Sequence, residues 1–317
     1  MKKIAIIGTS PIVSFHIDAL RQANLQPIAI ASSNPQSKTI KDFAMKQKIN
    51  SYFFDWKEML REQIFDGILI ASRIHDTVKI LNESIKYDIP ILVEKPVSFN
   101  SISLKKIDKS AHKKIMVGYN RRFYKPVNIV KKIVQEHKEP VLATMTTPEV
   151  PMLKNFFDNT SHSIDLLRFI FGDIKIEFTK TILVNNKPRG IIATLSTQKN
   201  DIVQFVGNWG ASDNFSLITY VDKQKLELKP YEELNIFEGM DIIEPTVEFP
   251  IRKYLPKLKE SVKLEPIDAK IKPGFFQQAK EFGKMIQTNS VSENVATLSD
   301  AQKVLELCET LVGKYSE

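Results

Sequence analysis

The sequence predicts an α/β protein in two parts: a doubly wound parallel sheet, followed by an α+β domain with a large, mostly antiparallel open sheet. Short apolar runs alternate with amphipathic stretches over the first 120 residues, as they do in βαβ units. This alternation breaks near Arg121–Pro126. Between Ile174 and Ile236, β-rich runs follow one another with no long helical pattern between them. We therefore expect two domains, at residues 1–121 and 122–317.

The elements of the first part follow from the size and spacing of their apolar runs. KIAIIG is a run of about six residues, the size of a buried parallel strand. After Pro11, apolar residues recur at helical spacing as Val13, Ile17 and Leu20, and proline suits the first turn of a helix because its missing N–H needs no partner there. The same reasoning predicts strands in QPIAIAS, SYFF, DGILIAS, IPILVEK and KIMVGYN, and helices in Pro35–Lys48, DWKEMLRE and His75–Tyr87.

The second part begins with a helix in KPVNIVKKIVQEH and a strand in PVLATMTTPEV. SHSIDLLRFIF is apolar nearly all round, which predicts a buried helix that ends at Gly172. Pro245–Pro273 is rich in proline and lysine, which indicates a long connection or a lid. FFQQAKEFGKMI predicts a further helix. The closing helix, at 299–314, is predicted to begin at Ser299 because Gln302 follows at capping-box spacing.

Composition narrows the class of function. The formal net charge is +8, but the lysines are scattered and form no nucleic-acid-binding signature, so we expect no nucleic-acid partner. No apolar run approaches the roughly 18–20 residues that cross a bilayer, and the start of the chain lacks a signal-peptide pattern. We therefore expect a cytoplasmic protein with no membrane partner. Cys308 is the only cysteine, and its place on an apolar helical stripe predicts a core residue.

A glycine follows the first predicted strand and precedes a helix. In an open α/β sheet this turn binds phosphates on the backbone N–H groups of the helix N-terminus. The full dinucleotide fingerprint would place glycine at positions 8, 10 and 13, whereas this chain has Gly8, Ser10 and Val13. An ordinary strand-to-helix turn accounts for Gly8 equally well, although the Ser10 hydroxyl could donate to a phosphate.

The second predicted strand ends in serines. Ser32 and Ser33 occupy the place where an NAD-binding domain usually has an acid for the ribose hydroxyls, and Lys38 follows. Without that acid a 2′-phosphate would not be repelled, and a lysine could pair with it, which favours NADP over NAD. The alternative is that the serines only begin a turn and cap the next helix.

Charged residues follow the fourth and fifth predicted strands, which end at the same edge of the sheet. His75 follows the fourth in ASRIHDT, where a structural and a functional role fit its position equally. Glu94 and Lys95 follow the fifth in ILVEKPVS, and Pro96 favours an extended backbone at Lys95. A lysine there could hydrogen-bond a substrate oxygen. Taken alone, a lysine in this position is more often a surface residue.

FFDNTSHSIDLLRF places a carboxylate and an imidazole four residues apart. Asp158 and His162 share one face of a helix if that helix begins early enough. A histidine whose second ring nitrogen is held by a carboxylate is a good general base. The alternative, which the residues alone slightly favour, is a helix N-cap at Asp158 and a buried structural His162.

Gly8 after a first strand, ASRIHDT, ILVEKPVS, GYNRRFYKPV and DNTSHSIDLLRFIFGD occur in this order along the chain. As an ordered set they resemble the glucose–fructose oxidoreductase, inositol dehydrogenase and rhizopine-catabolism (Gfo/Idh/MocA) family of nicotinamide-dependent sugar oxidoreductases. The two last predicted helices match the closing helices of that family as well. The resemblance implies an N-terminal Rossmann domain and a C-terminal domain whose open sheet forms homodimers or homotetramers.

The resemblance also implies roles for individual residues. Lys95 matches the lysine of a Glu-Lys-Pro motif. Asp158 and His162 match the carboxylate and the base of an Asp-x-x-x-His motif, which completes the implied catalytic set. Asn120 and Arg121 are expected to bind substrate beside the nicotinamide, together with those three. The implied NAD or NADP site consists of Gly8, Thr9, Ser10, Pro11, Ile12, Ser32, Ser33, Lys38, Ala71, Ser72, His75, Glu94 and Lys95.

The implied reaction is hydride transfer between the nicotinamide and a hydroxyl or ketone of a sugar or nucleotide sugar. His162 is expected to take the hydroxyl proton, Lys95 to hydrogen-bond the same oxygen, and Asp158 to orient the pair. Two alternatives stay open: a cyclitol or another small hydroxyl or imine compound as substrate, and a non-catalytic member that senses a nucleotide. No metal is expected.

Overall fold

The structure, a computed structural model, describes residues 1–149, 153–185 and 187–313. The chain divides into two compact units, Met1–Phe123 with Pro266–Glu317, and Tyr124–Glu265. The sequence analysis assigned the closing segment to the second domain, whereas the contacts assign it to the first unit. Residue 150, the end of the predicted strand PVLATMTTPEV, and residue 314, the end of the predicted closing helix, lie outside the described residues.

The first unit is built on a parallel sheet. Its strands are β1 (Lys2–Ile7), β2 (Leu25–Ala31), β3 (Ser51–Phe53), β4 (Gly67–Ile70), β5 (Ile91–Val93) and β6 (Ile115–Val117). Within the described residues they pair in the order β3-β2-β1-β4-β5-β6, and every pair is parallel. The strand order reverses direction between β1 and β4, so the carboxyl ends of these strands flank a topological switch point. The predicted doubly wound sheet is confirmed.

Helices connect these strands, and each follows the apolar spacing of its sequence. They are α1 (Pro11–Gln22), α2 (Ile40–Lys46), α3 (Trp56–Glu62), α4 (Ile74–Ser84) and α5 (Ser101–Lys105), with 3₁₀ turns at Ile85–Tyr87, Lys109–Lys114 and Asn120–Phe123. The prediction of a helix from Pro35 is wrong at its start. Asn34 and Ser37 accept backbone N–H groups two residues on, and such turns compete with a helix.

The second unit is built on a larger sheet. Helix α6 (Lys125–Glu136) leads into β7 (Leu142–Thr146), and a continuous helical segment follows: α7 (Leu153–Asn155), a π-helical turn (Phe156–Thr160) and α8 (Ser161–Phe171). The other strands are β8 (Ile174–Val184), β9 (Lys187–Thr197), β10 (Ile202–Gly207), β11 (Ser216–Val221), β12 (Gln224–Leu228), β13 (Glu233–Ile243) and β14 (Lys253–Lys263).

The pairing of these strands is mostly antiparallel, as predicted. In the described part of the chain their order is β14-β13-β12-β11-β7-β10-β9-β8, and only β7 and β10 run parallel. Helices α6 and α8 contact this sheet. Alternate strand residues such as Ala143 and Phe205 are buried, while the residues between them are half-buried or exposed. Every residue of α8 except Arg168 is buried, which confirms the predicted buried helix.

Two helices close the chain on the first unit, α9 (Phe275–Thr288) and α10 (Leu298–Val312). Phe282 and Met285 of α9 join the apolar core that contains Ile4 and Leu25. The Glu309 carboxylate of α10 accepts hydrogen bonds from the backbone N–H and the hydroxyl of Ser101. These long-range contacts are the reason that the segment belongs with the parallel sheet.

The capping box at the closing helix was predicted with the wrong residues. Thr297 is the N-cap, its hydroxyl accepts the N–H of Asp300, and the Asp300 carboxylate accepts the N–H of Thr297. The helix therefore begins at Leu298 rather than at Ser299. The prediction for Cys308 is confirmed: the thiol is buried in the core, and burial raises its pKa well above the ordinary value.

The prediction of a long connection or lid at Pro245–Pro273 is wrong. Much of this segment is β14, which pairs with β13 along its length. Because β14 is the edge strand of the sheet, Pro256 can lie in it without breaking a ladder on the open side. Among the described residues, no helix combines the length and the apolar character needed to cross a membrane.

Candidate active site

Most of the residues predicted to bind the cofactor lie along the carboxyl edge of the parallel sheet. Backbone hydrogen bonds extend the sheet beyond the strands: the N–H of Gly8 donates to the Ala31 carbonyl, and the N–H of Glu94 to the Ile70 carbonyl, each over 2.8 Å. Ala71 continues β4 in the same way. The structure therefore brings the ends of β1, β2, β4 and β5 together at one edge.

Glycine is the only residue type that fits at position 8. Its φ is +127°, and a Cβ built on it would lie 2.1 Å from the Ala71 carbonyl oxygen. Val13, which replaces the third glycine of the dinucleotide fingerprint, is fully buried in the core. The tight turn of the fingerprint is thus kept, although its other two glycines are not.

The turn between β1 and α1 is suited to a phosphate. Ser10 is the N-cap of α1, and its side chain makes no capping hydrogen bond. The first N–H groups of a helix have no intrahelical partner, and they favour anions. Thr9 and Ile12 are half-buried, while Ser10 and Pro11 are exposed. These residues fit the diphosphate of a dinucleotide.

The end of β2 supports the turn interpretation for one of its two serines. Ser32 is buried, and its hydroxyl oxygen accepts the N–H of Asn34 over 3.0 Å. Ser33 is half-buried and Lys38 is exposed. Neither serine caps the next helix, because the N-cap of α2 is Thr39. Of the three residues predicted to bind the cofactor in this segment, Ser33 and Lys38 are therefore the ones that could contact a ribose or a 2′-phosphate.

Two of the predicted cofactor-binding residues after β4, Ser72 and His75, differ in their surroundings. The Ser72 hydroxyl lies 2.9 Å from the Thr77 hydroxyl, so it contributes to the start of α4. His75, the second residue of α4, is exposed at the same edge of the sheet.

A buried histidine that the sequence analysis did not identify holds Glu94 in place. His16 of α1 is 3% exposed, and its Nε2 lies 2.6 Å from Oε1 of Glu94. Its ring packs on Phe275, with ring centroids 4.6 Å apart. A Cβ built on Gly118 would lie 3.0 Å from the same Oε1, so the backbone packs closely against the carboxylate. The other oxygen, Oε2, accepts the backbone N–H of Lys95 over 3.1 Å.

The sequence contained a signal for this histidine. His16 lies next to Ile17 and three residues after Val13, on the side of α1 that is buried. A polar residue on the core side of a helix needs a buried partner. The strand-end carboxylate of Glu94 is that partner, and it in turn fixes the backbone of Lys95, whose side chain is half-buried.

Asn120 and Arg121 lie in the 3₁₀ turn after β6. Asn120 is buried, and its Nδ2 donates to the Pro273 carbonyl over 2.8 Å. One amide hydrogen of Asn120 is therefore used to hold the segment before α9. Arg121 is half-buried.

In the second unit, Asp158 and His162 lie on one continuous helical segment. Helical geometry begins before Asp158, so the condition for the two residues to lie one turn apart is met. Asp158 is half-buried and His162 is 6% exposed. The Ser161 hydroxyl donates to the Asp158 carbonyl over 2.7 Å at the junction between the π-helical turn and α8.

Aromatic packing fixes this helical turn to the sheet. Phe156 and Phe157 are fully buried, and the Phe156 ring lies 6.2 Å from Phe205 and 6.0 Å from Trp209. Next to them, Nδ2 of Asn159 lies 3.4 Å from a carboxylate oxygen of Glu149.

Glu149 is a second residue that the sequence analysis did not identify. It is a buried carboxylate three residues beyond the end of β7, and its only sequence signal is an acid near the end of the predicted strand PVLATMTTPEV.

The strand order and the glycine turn define the first unit as a dinucleotide-binding α/β domain. Residues 2–119 match the model of an oxidoreductase family with an NAD-binding Rossmann fold, the Gfo/Idh/MocA family. The match covers the first unit, and it agrees with the resemblance drawn from the sequence.

Related proteins agree with this assignment. The chain is 26% identical over 238 residues to the uncharacterized oxidoreductase YrbE of Bacillus subtilis, covering 70% of each chain. It is 31% identical over 133 residues to an inositol 2-dehydrogenase of Arthrobacter, covering 38% of this chain and 39% of the relative. A solved oxidoreductase from Agrobacterium radiobacter in complex with NAD⁺, L-tartaric acid and magnesium superposes with a TM-score of 0.75 at 16% identity, covering 98% of this chain and 95% of that one. This last likeness concerns the fold.

Proposed function

We propose that this oxidoreductase transfers a hydride between a nicotinamide cofactor and a hydroxyl or ketone group of a sugar or nucleotide sugar. The observation that carries the proposal is the position of Lys95. It follows β5 at the carboxyl edge of the NAD-binding sheet, where open α/β sheets bind their ligands, and Glu94 fixes its backbone. When bound, the dinucleotide supplies the hydride acceptor or donor.

The chain itself supplies the proton chemistry. In the oxidation direction, His162 takes the proton of the substrate hydroxyl while the hydrogen on the same carbon leaves with its electron pair. The Lys95 ammonium donates a hydrogen bond to that oxygen, and Asp158 orients His162. Proton transfer of this kind typically contributes about 10²–10⁴-fold to a rate. The family motifs and the helical placement of Asp158 and His162 support these roles.

The cofactor would be held by the turn after β1, through Gly8, the Ser10 hydroxyl and the first N–H groups of α1. We expect binding of both dinucleotides with a preference for NADP. No acid lies between Ala31 and Thr39 to bind the ribose hydroxyls, and the Lys38 ammonium is exposed.

A cyclitol is the second candidate substrate. Among the relatives, proteins named inositol 2-dehydrogenase favour it, since a cyclitol presents the same secondary hydroxyl as a sugar. A non-catalytic nucleotide sensor with the same fold is the third candidate function.

The test is a turnover screen. The purified chain is mixed with NAD⁺ or NADP⁺ and with sugars, nucleotide sugars and cyclitols, and the reduced cofactor is followed by its absorbance. Lys95→Ala should lower turnover by about 10²–10⁴-fold while cofactor binding stays detectable. Lys280→Ala is the matched control, because Lys280 lies beside Met1 and Leu25 at the opposite edge of the sheet.

Full turnover in the Lys95→Ala protein would reject the proposed role of the lysine. Tight dinucleotide binding without turnover on any substrate would favour the nucleotide sensor. Turnover confined to cyclitols would favour the second candidate.

A second copy of the chain is the proposed partner. The open face of the larger sheet carries exposed apolar side chains on strands that span it: Leu142, Phe178, Ile182, Ile192 and Tyr220. Exposed apolar side chains that share one face mark protein–protein interaction sites when they form a large patch. Pairing of two such faces in a homodimer or homotetramer would bury them.

A further inference from the structure

Strands β13 and β14 continue as a two-stranded arm beyond the rest of the sheet. In the described chain β13 pairs with β12 only as far as Glu238, whereas Met240–Ile243 pair with Lys253–Pro256 alone. The ladder changes register between Phe237 and Met240, where Gly239 has a φ of +79°. A bulge of this kind bends and twists a strand pair. We call residues 240–256 the arm.

One face of the arm is apolar. Strand alternation places Met240, Ile242, Tyr254 and Pro256 on one face, with no charged residue among them. Met240, Ile242 and Tyr254 are 51%, 55% and 56% exposed. The tip of the arm continues the pattern, with exposed side chains at Val247, Phe249 and Ile251.

Such an arm needs a surface to pack on. A two-stranded hairpin alone is only marginally stable in water, because neither of its faces is covered. Eight large apolar side chains of the arm are about half exposed or more: Met240, Ile242, Ile243, Val247, Phe249, Ile251, Tyr254 and Leu255. Met240, Ile242 and Tyr254 share one face, whereas Ile243 and Leu255 lie on the other. Exposed apolar surface of this kind is what a protein–protein interface covers, about 800 Å² on each partner in a standard one.

Charged residues of both signs lie on the arm, and several of them pair with one another or with strand residues at its base. Arg252 donates to Glu244 over 2.7 Å, and Lys257 lies 4.0 Å from Asp241 across the two strands. Lys259 pairs with Glu238 at the base of the arm. Because these charges offset each other locally, the arm has no one-signed patch for a nucleic acid or a charged ligand. Its partner should present an apolar surface.

We propose that the arm packs against a second copy of this chain. The same sheet carries a largely apolar surface at its other end, where Phe178, Ile182 and Ile192 are exposed on the open face of β8 and β9 around Lys180. In a two-fold pair the arm of each copy lies on the β8–β9 surface of the other, so the contact is made twice. This inference deepens the proposed pairing of two copies, and the first experiment separates the two.

The first experiment measures the oligomeric state by light scattering and sedimentation over a range of concentrations. Ile242→Ser with Tyr254→Ser should weaken association at least about 100-fold, because buried apolar anchors dominate such interfaces. The same pair leaves the far-ultraviolet spectrum unchanged, since both side chains are exposed in one copy. Ile64→Ser, at an exposed isoleucine of the first unit, is the matched control and should change nothing.

The outcomes separate the arm from the open face. Leu142→Ser with Tyr220→Ser tests the centre of the open face in the same assay. If that pair dissociates the copies and the arm pair leaves the dissociation constant within about threefold of wild type, the arm inference fails while the pairing stands. A chain that is monomeric at all concentrations overturns both.

The second experiment identifies what the arm touches. Val247→Cys places a thiol at the fully exposed tip, and the only natural cysteine, Cys308, is buried and unreactive. A thiol-linked photo-crosslinker is attached there, and isotope-labelled and unlabelled copies are mixed before irradiation. We expect cross-links from the arm of one copy to peptides of residues 174–197 of the other. Cross-links confined to a single copy would show that the arm closes on its own chain, and would overturn the inference.

Discussion

Substitution of Gly8 by alanine tests the geometry of the cofactor-binding turn most directly. A Cβ at this position would lie 2.1 Å from the carbonyl oxygen and 2.6 Å from the carbonyl carbon of Ala71, and 3.2 Å from the backbone nitrogen of Ser72. All three are backbone atoms, so no side chain can rotate away. The end of β1 and the residues after β4 would have to separate.

Two costs add in this variant. A φ of +127° is a strained conformation for alanine, which costs about 1–3 kcal/mol. Displacing packed backbone costs a further 1–3 kcal/mol or so, as overpacking does in cores. The sum is about 2–6 kcal/mol, a large part of the 5–15 kcal/mol that typically separates folded from unfolded protein.

The matched control isolates the second cost. Gly313, in the same unit, has a φ of +82°, and no described heavy atom lies within 4 Å of a Cβ built on it. Gly313→Ala therefore carries the strain without the backbone contact. We expect Gly8→Ala to lose about 1–3 kcal/mol more free energy of unfolding than Gly313→Ala.

The assay is urea unfolding followed by tryptophan fluorescence. The two tryptophans lie one in each unit, Trp56 in the first and Trp209 in the second, and both are buried. In a Trp209→Phe background the signal reports the first unit alone. Equal free energies of unfolding for Gly8→Ala and Gly313→Ala would refute the contact with Ala71.

Two further predictions concern the first unit. His16→Phe keeps an aromatic ring against Phe275 but removes the hydrogen bond to the Glu94 carboxylate; a hydrogen bond to a charged group contributes about 1.5–3 kcal/mol, so the urea midpoint should fall, and an unchanged midpoint would contradict the pairing. The Lys105 hydrogen bond holds the pKa of Glu306 below its ordinary value, so this pair stabilises the fold above the unfolded pKa and the stabilisation is lost as pH falls through the folded pKa. Between about pH 6 and pH 3 the thermal midpoint of wild type should therefore fall more than that of Glu306→Gln, and parallel curves would contradict this.

The order of elements in the first unit could be predicted because its signals are local. Apolar runs of strand length and helical repeats each occupy a few consecutive residues, and they alternate. The start of α2 could not be predicted in this way. Ser32, Asn34 and Ser37 form side-chain turns that compete with a helix, and apolar spacing gives no sign of such turns. The closing helices could not be assigned to a unit, because contacts such as that between Ser101 and Glu309 join residues far apart in the sequence.

The arm shows how composition can mislead. Prolines and lysines between 245 and 273 indicated a loop, since both are uncommon in buried strands. At the edge of a sheet, however, a proline without an N–H and exposed lysines are both tolerated, and they discourage unwanted pairing. The signal for a strand in this segment was the alternation of Tyr254, Pro256 and Leu258, and it pointed to no core because Tyr254 and Leu258 are exposed.

Different contacts hold Lys95 in the first unit and Asp158 and His162 in the second. This difference explains which of their positions could be predicted from the sequence. Lys95 is held through Glu94 by His16, a helix residue far away in the sequence, so the motif around Lys95 shows the lysine but not the histidine that supports it. Asp158 and His162 are held by their own neighbours, because Phe156 fixes the intervening turn to the sheet. The four-residue spacing of that pair therefore indicated its geometry from local sequence alone, whereas the position of Lys95 depends on packing between α1 and the end of β5.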